Sequence, residues 1–107
     1  MEHNAISFAQ FREMMSFDTE KEYCIEIEFA LGETDHCWMG KKPDKVTGTD
    51  VYWFGLPEKS GGVYSTFEAF SSAKVFDGKA LYEVWATVTI WAIDGCDPME
   101  RLADYLS

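Results

Sequence analysis

Tyr23-Cys24-Ile25-Glu26-Ile27-Glu28-Phe29-Ala30-Leu31 is the stretch that decides the fold class, because its apolar residues recur at every second position. Tyr23, Ile25, Ile27, Phe29 and Leu31 fall on one side of an extended chain, and Cys24, Glu26, Glu28 and Ala30 on the other. This period predicts a strand of a sheet that is packed on one face and wet on the other, the usual condition of an antiparallel sheet.

On the N-terminal side the period becomes helical. Ser7 followed by Gln10 forms a capping box, and Ile6 with Phe11 forms a hydrophobic staple around it. A helix therefore starts at Ser7, buries Phe8, Phe11, Met14 and Met15, wets Arg12 and Glu13, and ends near Phe17. On the C-terminal side, Gly32-Glu33-Thr34-Asp35 is a hairpin connection into a second strand around residues 36–41. A polar loop over 42–50, with Pro43 and Gly48, leads to a third, aromatic-rich strand over 51–56. Pro57 closes that strand, and Ser60-Gly61-Gly62 reads as a flexible turn.

Ser65 with Glu68 suggests a second capping box and a short helix through Phe67, Phe70 and Ala73, broken at Asp77-Gly78. Leu81, Val84, Trp85 and Val88 have helical spacing, after which the β-branched run over 87–93 asks for a strand, the switch lying near Ala86 and Thr87. Asp94-Gly95 is a turn. Asp97 caps a last helix with Pro98 at its first position and Glu100 in its first turn, and Met99, Leu102, Ala103 and Leu106 form its apolar stripe. The expected fold is a single α+β domain over residues 1–107. It has an antiparallel or mixed sheet of about four strands, with N-terminal, central and C-terminal helices packed mainly on one face.

The stretch Ala73 through Asp97 contains Ala-Lys-Val-Phe-Asp-Gly-Lys-Ala-Leu-Tyr-Glu-Val-Trp near its start and Ile93-Asp94-Gly95 near its end. In these residues, about a quarter of the chain, it resembles small uncharacterised proteins of Firmicute bacteria. The resemblance implies a bacterial origin and brings no activity with it.

Composition narrows the function classes. At 107 residues, with 47% hydrophobic and 16% aromatic content, the chain has apolar matter for one core and needs no disulfide or metal to fold. The N-terminus has no signal-peptide pattern and no apolar run reaches membrane-spanning length, so a cytoplasmic location is expected, with no membrane contact. Cys24, Cys37 and Cys96 are odd in number and form no C-x-x-C pair, which suits reduced thiols. The net charge of -10 repels phosphates, so direct nucleic-acid binding is not expected. Residues 13–35 concentrate that charge, with eight acids against the single base Lys21.

Catalytic and metal readings find little support. Asp77-Gly78-Lys79 lacks the spaced glycines and the Ser or Thr of a phosphate loop, and helix and turn signals explain it, Asp77 being able to cap the helix that follows. His36 and Cys37 are neighbours on a strand, so they point to opposite faces and need Cys24 or His3 to complete a metal site. Glu26 and Glu28 share a strand face roughly 6 to 7 Å apart, a spacing open to acid–base work but also ordinary for a solvated face. No Ser-His-Asp or Cys-His arrangement is legible with two histidines, one at position 3.

The aromatic set Tyr52, Trp53, Phe54, Trp38 and Trp91 is too large to bury on one side of a small sheet. Val51, Trp53 and Gly55 face one way and Tyr52, Phe54 and Leu56 the other, so one of these faces offers an apolar patch. The expectation is a non-enzymatic interaction module, of inhibitor, immunity or antitoxin-like kind, without metal or cofactor. It binds a basic protein through Glu26, Glu28, Tyr52, Trp53 and Phe54; the competing reading of the aromatic strand is a central strand covered on both faces or a homodimer contact. The alternative is a small-molecule binder or enzyme with an aromatic-lined pocket between sheet and helices.

Overall fold

The computed structural model describes residues 6–16, 24–32, 36–46, 48–57 and 60–106. Tyr23, His3, the tip of the first hairpin over 33–35 and six charged members of the acidic stretch (Asp18, Glu20, Lys21, Glu22, Glu33 and Asp35) lie outside the described residues.

Helix α1 spans Phe8–Met15 and starts as its capping box requires: Ser7 Oγ accepts the Gln10 amide at 3.1 Å, and Gln10 Oε1 accepts the Ser7 amide at 2.9 Å. The strands β1 (Ile25–Leu31), β2 (Cys37–Pro43), β3 (Asp50–Gly55) and β4 (Ser60–Tyr64) follow as a meander. Helix α2 (Phe67–Ser72) and the single-turn α3 (Leu81–Val84), extended by a 3₁₀ turn over Trp85–Thr87, then lead to β5 (Val88–Ile93). Helix α4 (Pro98–Leu106) ends the fold, its first turn capped by Asp97 through the Glu100 amide at 3.1 Å.

The sheet has five strands in the order β4-β3-β2-β1-β5, and every pairing is antiparallel. The expected four become five because the Ser60-Gly61-Gly62 segment is a strand and not a flexible turn. Its glycines are what admit it: a Cβ on Gly61 would stand 2.3 Å from Cβ of Phe54, so only a bare backbone can run this close to β3.

Three boundary expectations also shift. The cap of α2 is Thr66, not Ser65: Thr66 Oγ1 accepts the Ala69 amide at 3.0 Å, and Glu68, freed from a capping box, meets Arg12 at 2.9 Å. Asp77 does not cap α3; at φ 53° it forms with Gly78 the tight Phe76–Lys79 turn, while Glu83 accepts the Ala80 amide at 2.8 Å and opens the helix. The buried side of α4 is Leu102, with Tyr105 and Leu106 half-buried, whereas Met99 and Ala103 are exposed. Helix α4 is turned this way because Asp94 Oδ2 accepts from Arg101 Nε at 2.9 Å and from the Tyr105 hydroxyl at 2.7 Å, fixing the helix to the end of β5.

The face of the sheet carrying Ile25, Ile27, Phe29, Met39 and Phe54 is covered by Phe11, Met14 and Met15 of α1, Phe70 of α2, Leu81 of α3 and Leu102 of α4, all in one buried cluster. Phe54 and Phe70 stack at 4.3 Å between ring centres, and Phe11 and Trp85 meet at 4.7 Å. No helix among the described residues is long and apolar enough to cross a membrane.

Candidate functional site: the open face of the sheet

The alternation that buries one side of each strand puts the other side in a single plane. The pairing register sorts this plane into rows that run across the strands. One row is Glu26 on β1, Gly40 on β2, Trp53 on β3 and Val63 on β4. The next is Ala92 on β5, Glu28 on β1, Trp38 on β2 and Gly55 on β3. Tryptophan faces glycine across the β2–β3 pairing in both rows, in opposite order.

The glycines give the indoles room to lie flat. A Cβ on Gly40 would come within 2.8 Å of Trp53 Cζ2 and 3.0 Å of Cε2, so the six-membered ring of Trp53 lies directly over the Gly40 backbone. A Cβ on Gly55 would stand 3.5 Å from Trp38 Cβ and 3.6 Å from Trp53 Cζ3, so both side chains border that gap. Trp38 is 39% exposed, Val63 60% and Trp91 54%. The Trp91 ring lies 5.3 Å from that of His36, which in turn pairs through Nδ1 with the Glu28 carboxylate. Glu26 is exposed, and among the described residues its carboxylate has no partner; its backbone amide is taken by Asp94 Oδ1 at 2.9 Å. Among the described residues no group accepts a hydrogen bond from the indoles of Trp38, Trp53 or Trp91, whereas buried Trp85 donates its own to the Ile6 carbonyl at 3.0 Å.

The five residues singled out in the sequence thus divide. Glu26, Glu28 and Trp53 share the open face. Tyr52 and Phe54 do not share it: their parity on β3 is opposite to that of Trp53, and they face the core, Tyr52 5.6 Å from Phe70 and Phe54 3% exposed. Trp38 and Trp91 join the open face in their place. The signal for Trp38 is parity, since it alternates on β2 with buried Cys37 and Met39; Trp91 depends on a register shift of β5 against Glu28 and Phe29 that no residue pattern announces. Both outer pairings, β1–β5 and β3–β4, carry such a shift, which interrupts the regular ladder beside each edge strand.

His36 and Cys37 point to opposite faces, the first exposed and the second buried, and among the described residues no group of three His, Cys, Asp or Glu could hold a metal ion. One charged cluster lies on the covered side and was not foreseen. Lys41, 2% exposed, donates to the Met15 carbonyl at the end of α1 at 2.8 Å, lies 3.3 Å from Asp50 and sits 5.5 Å from the Tyr52 ring. Burial, with Asp50 and Glu68, raises the Tyr52 phenol above its ordinary value. The cluster ties the end of α1 to β2 and β3, because a lysine close to a helix C-terminus satisfies carbonyls that have no partner within the helix. Compared with known protein families, curated proteins and solved structures, the chain matches none.

Proposed function

We propose that the chain is a protein-interaction module whose open sheet face docks a partner rich in cationic side chains. The supporting observation is the company that three of the four tryptophans keep: Trp38, Trp53 and Trp91 stand with Glu26 and Glu28 on the face that none of the described helices covers. Indoles are the strongest cation-binding rings among side chains, and tryptophan is enriched where binding energy concentrates at interfaces. The net charge of -10 adds a long-range attraction for a basic partner and a repulsion against a second copy of the chain. An inhibitor, immunity or antitoxin-like protein that neutralises a cationic target is the most concrete form, and the bacterial origin suggested by the Ala73–Asp97 stretch is compatible with it. The small-molecule reading draws less support, since the space between sheet and helices is filled by Phe11, Phe54 and Phe70.

The test is co-purification from the cells that produce the protein, with wild type beside Glu26→Lys with Glu28→Lys and beside Trp38→Ala. One basic protein held by the wild type at low salt, released at high salt and lost from both variants is the expected result. Capture that ignores the variants, or a wild type that sediments as a dimer the Trp38→Ala change dissociates, would overturn the reading.

A further inference from the structure

The two rows of the open face are not equivalent, and the difference points to a specific side chain of the partner. In the second row Glu28 faces Trp38 directly, but its carboxylate is already engaged by His36, and His36 also lies against Trp91. In the first row Glu26 has no side-chain partner among the described residues. Between Glu26 and Trp53 stands only Gly40, whose missing side chain lets the Trp53 indole extend toward β1. Neighbouring strands are about 4.8 Å apart, so the flat ring over Gly40 ends roughly one strand spacing from the Glu26 position.

From this geometry we propose that Trp53, Gly40 and Glu26 form a site for one arginine of the partner. The assignment rests on the open face being the docking surface. A guanidinium is planar, weakly hydrated and always charged: it stacks on the outward face of the indole while its edge N–H groups donate as a fork to the carboxylate beside the ring. A lysine ammonium is compact and strongly hydrated, and cannot cover the ring and fork to Glu26 at once. Gly40 is required: a Cβ there would meet Trp53 and would stand 2.1 Å from the Ile25 carbonyl oxygen. Valine at position 63, exposed at the far end of the same row, gives the arginine's aliphatic neighbours an apolar edge.

The experiment titrates ¹⁵N-labelled full chain with the blocked pentapeptide acetyl-Gly-Ser-Arg-Ser-Gly-amide and with its lysine and citrulline counterparts, following the four indole N–H signals, of which buried Trp85 is the internal reference. The arginine peptide should move the Trp53 signal most. The lysine peptide should bind roughly tenfold more weakly and the citrulline peptide not measurably. Glu26→Gln, which keeps the ring in place, should abolish the difference between arginine and lysine, with an unshifted Trp85 signal confirming the fold. Equal binding of arginine and lysine, or a response at Trp38 and Trp91 without Trp53, would overturn the arginine site and leave the docking face standing. Silence of all three open-face indoles toward every cationic peptide would overturn both. Citrulline binding as well as arginine would also overturn the site, because stacking alone would then account for the contact.

Discussion

The two faces of the sheet are both aromatic, yet they use different rings. The covered face and its helices are filled by Phe11, Phe29, Phe54, Phe70 and Phe76, whose rings carry no polar atom and lose nothing by leaving water. The open face carries tryptophans, each with an N–H that is expensive to bury without an acceptor. Trp85 tests that rule from the inside, since it is the one tryptophan in the core and has the Ile6 carbonyl as its acceptor. Among the described residues Trp38, Trp53 and Trp91 have no such acceptor, which leaves their N–H groups to water or a partner. On the proposed reading the open face is a surface built to be wet until it is occupied, and not a core lacking its last helix.

The comparison can be broken most directly by truncating one ring on each side. Phe70 is fully buried and meets Phe11, Tyr52, Phe54, Tyr64 and Phe67, so Phe70→Ala should cost about 3–5 kcal/mol in urea unfolding. Trp38→Ala should cost about 1 kcal/mol or less, because the ring already meets solvent. Equal losses would mean that the open face is part of the core. The next effect in size concerns the charge buried on the covered side. Lys41→Met removes the donor to the Met15 carbonyl and the 3.3 Å contact with Asp50, at about 1–3 kcal/mol. Adding Asp50→Asn should recover part of that loss, and a double variant no better than the single one would show that the carbonyl contact carries the effect.

Much of this contrast is legible in the residues. Alternation over Ile25 to Phe29 places Glu26 and Glu28 on the wet side, and the caps at Ser7 and Asp97 start both long helices where the sequence says. What the residues conceal has tertiary causes. Two consecutive glycines look like a turn until Phe54 is seen pressing against Gly61. A lysine at position 41 looks like the wet end of a strand until α1 sets the Met15 carbonyl above it. Tyr52 and Phe54 belong to the core for a simpler reason: three consecutive aromatics on a strand cannot share a face, and only the packing of Phe67 and Phe70 decides which side takes two of them.

A smaller effect appears at alkaline pH, where the covered face ends at α4. Burial first, and then the hydrogen bond to Asp94, push the Tyr105 phenol from 10.0 up to about 12. The neutral phenol is thus favoured by the folded chain. Its contribution is fully present below pH 10.0, where both states are protonated, and is lost between pH 10.0 and about 12 as the unfolded chain alone ionises. Stability measured by urea titration should fall over that window, and Tyr105→Phe should flatten the fall, leaving the part due to Tyr52, whose phenol is also raised. An unchanged slope in Tyr105→Phe would mean that the tie between α4 and Asp94 does not depend on the phenol.

The smallest expected change is the most informative about the open face. Trp91 is the most exposed of the tryptophans, sits at the irregular step of β5 and touches the imidazole of His36. Replacing it with serine removes apolar surface that the folded chain leaves in water, so stability should move by no more than about 0.5 kcal/mol. Binding of the proposed basic partner should weaken in the same variant, because the indole's worth would be realised only when it is covered. A ring that affects affinity and leaves stability alone belongs to an interface. A loss of 2 kcal/mol or more, about the range of a buried side chain, would instead make Trp91 a structural lid over the edge of the sheet and would remove the distinction between the two faces.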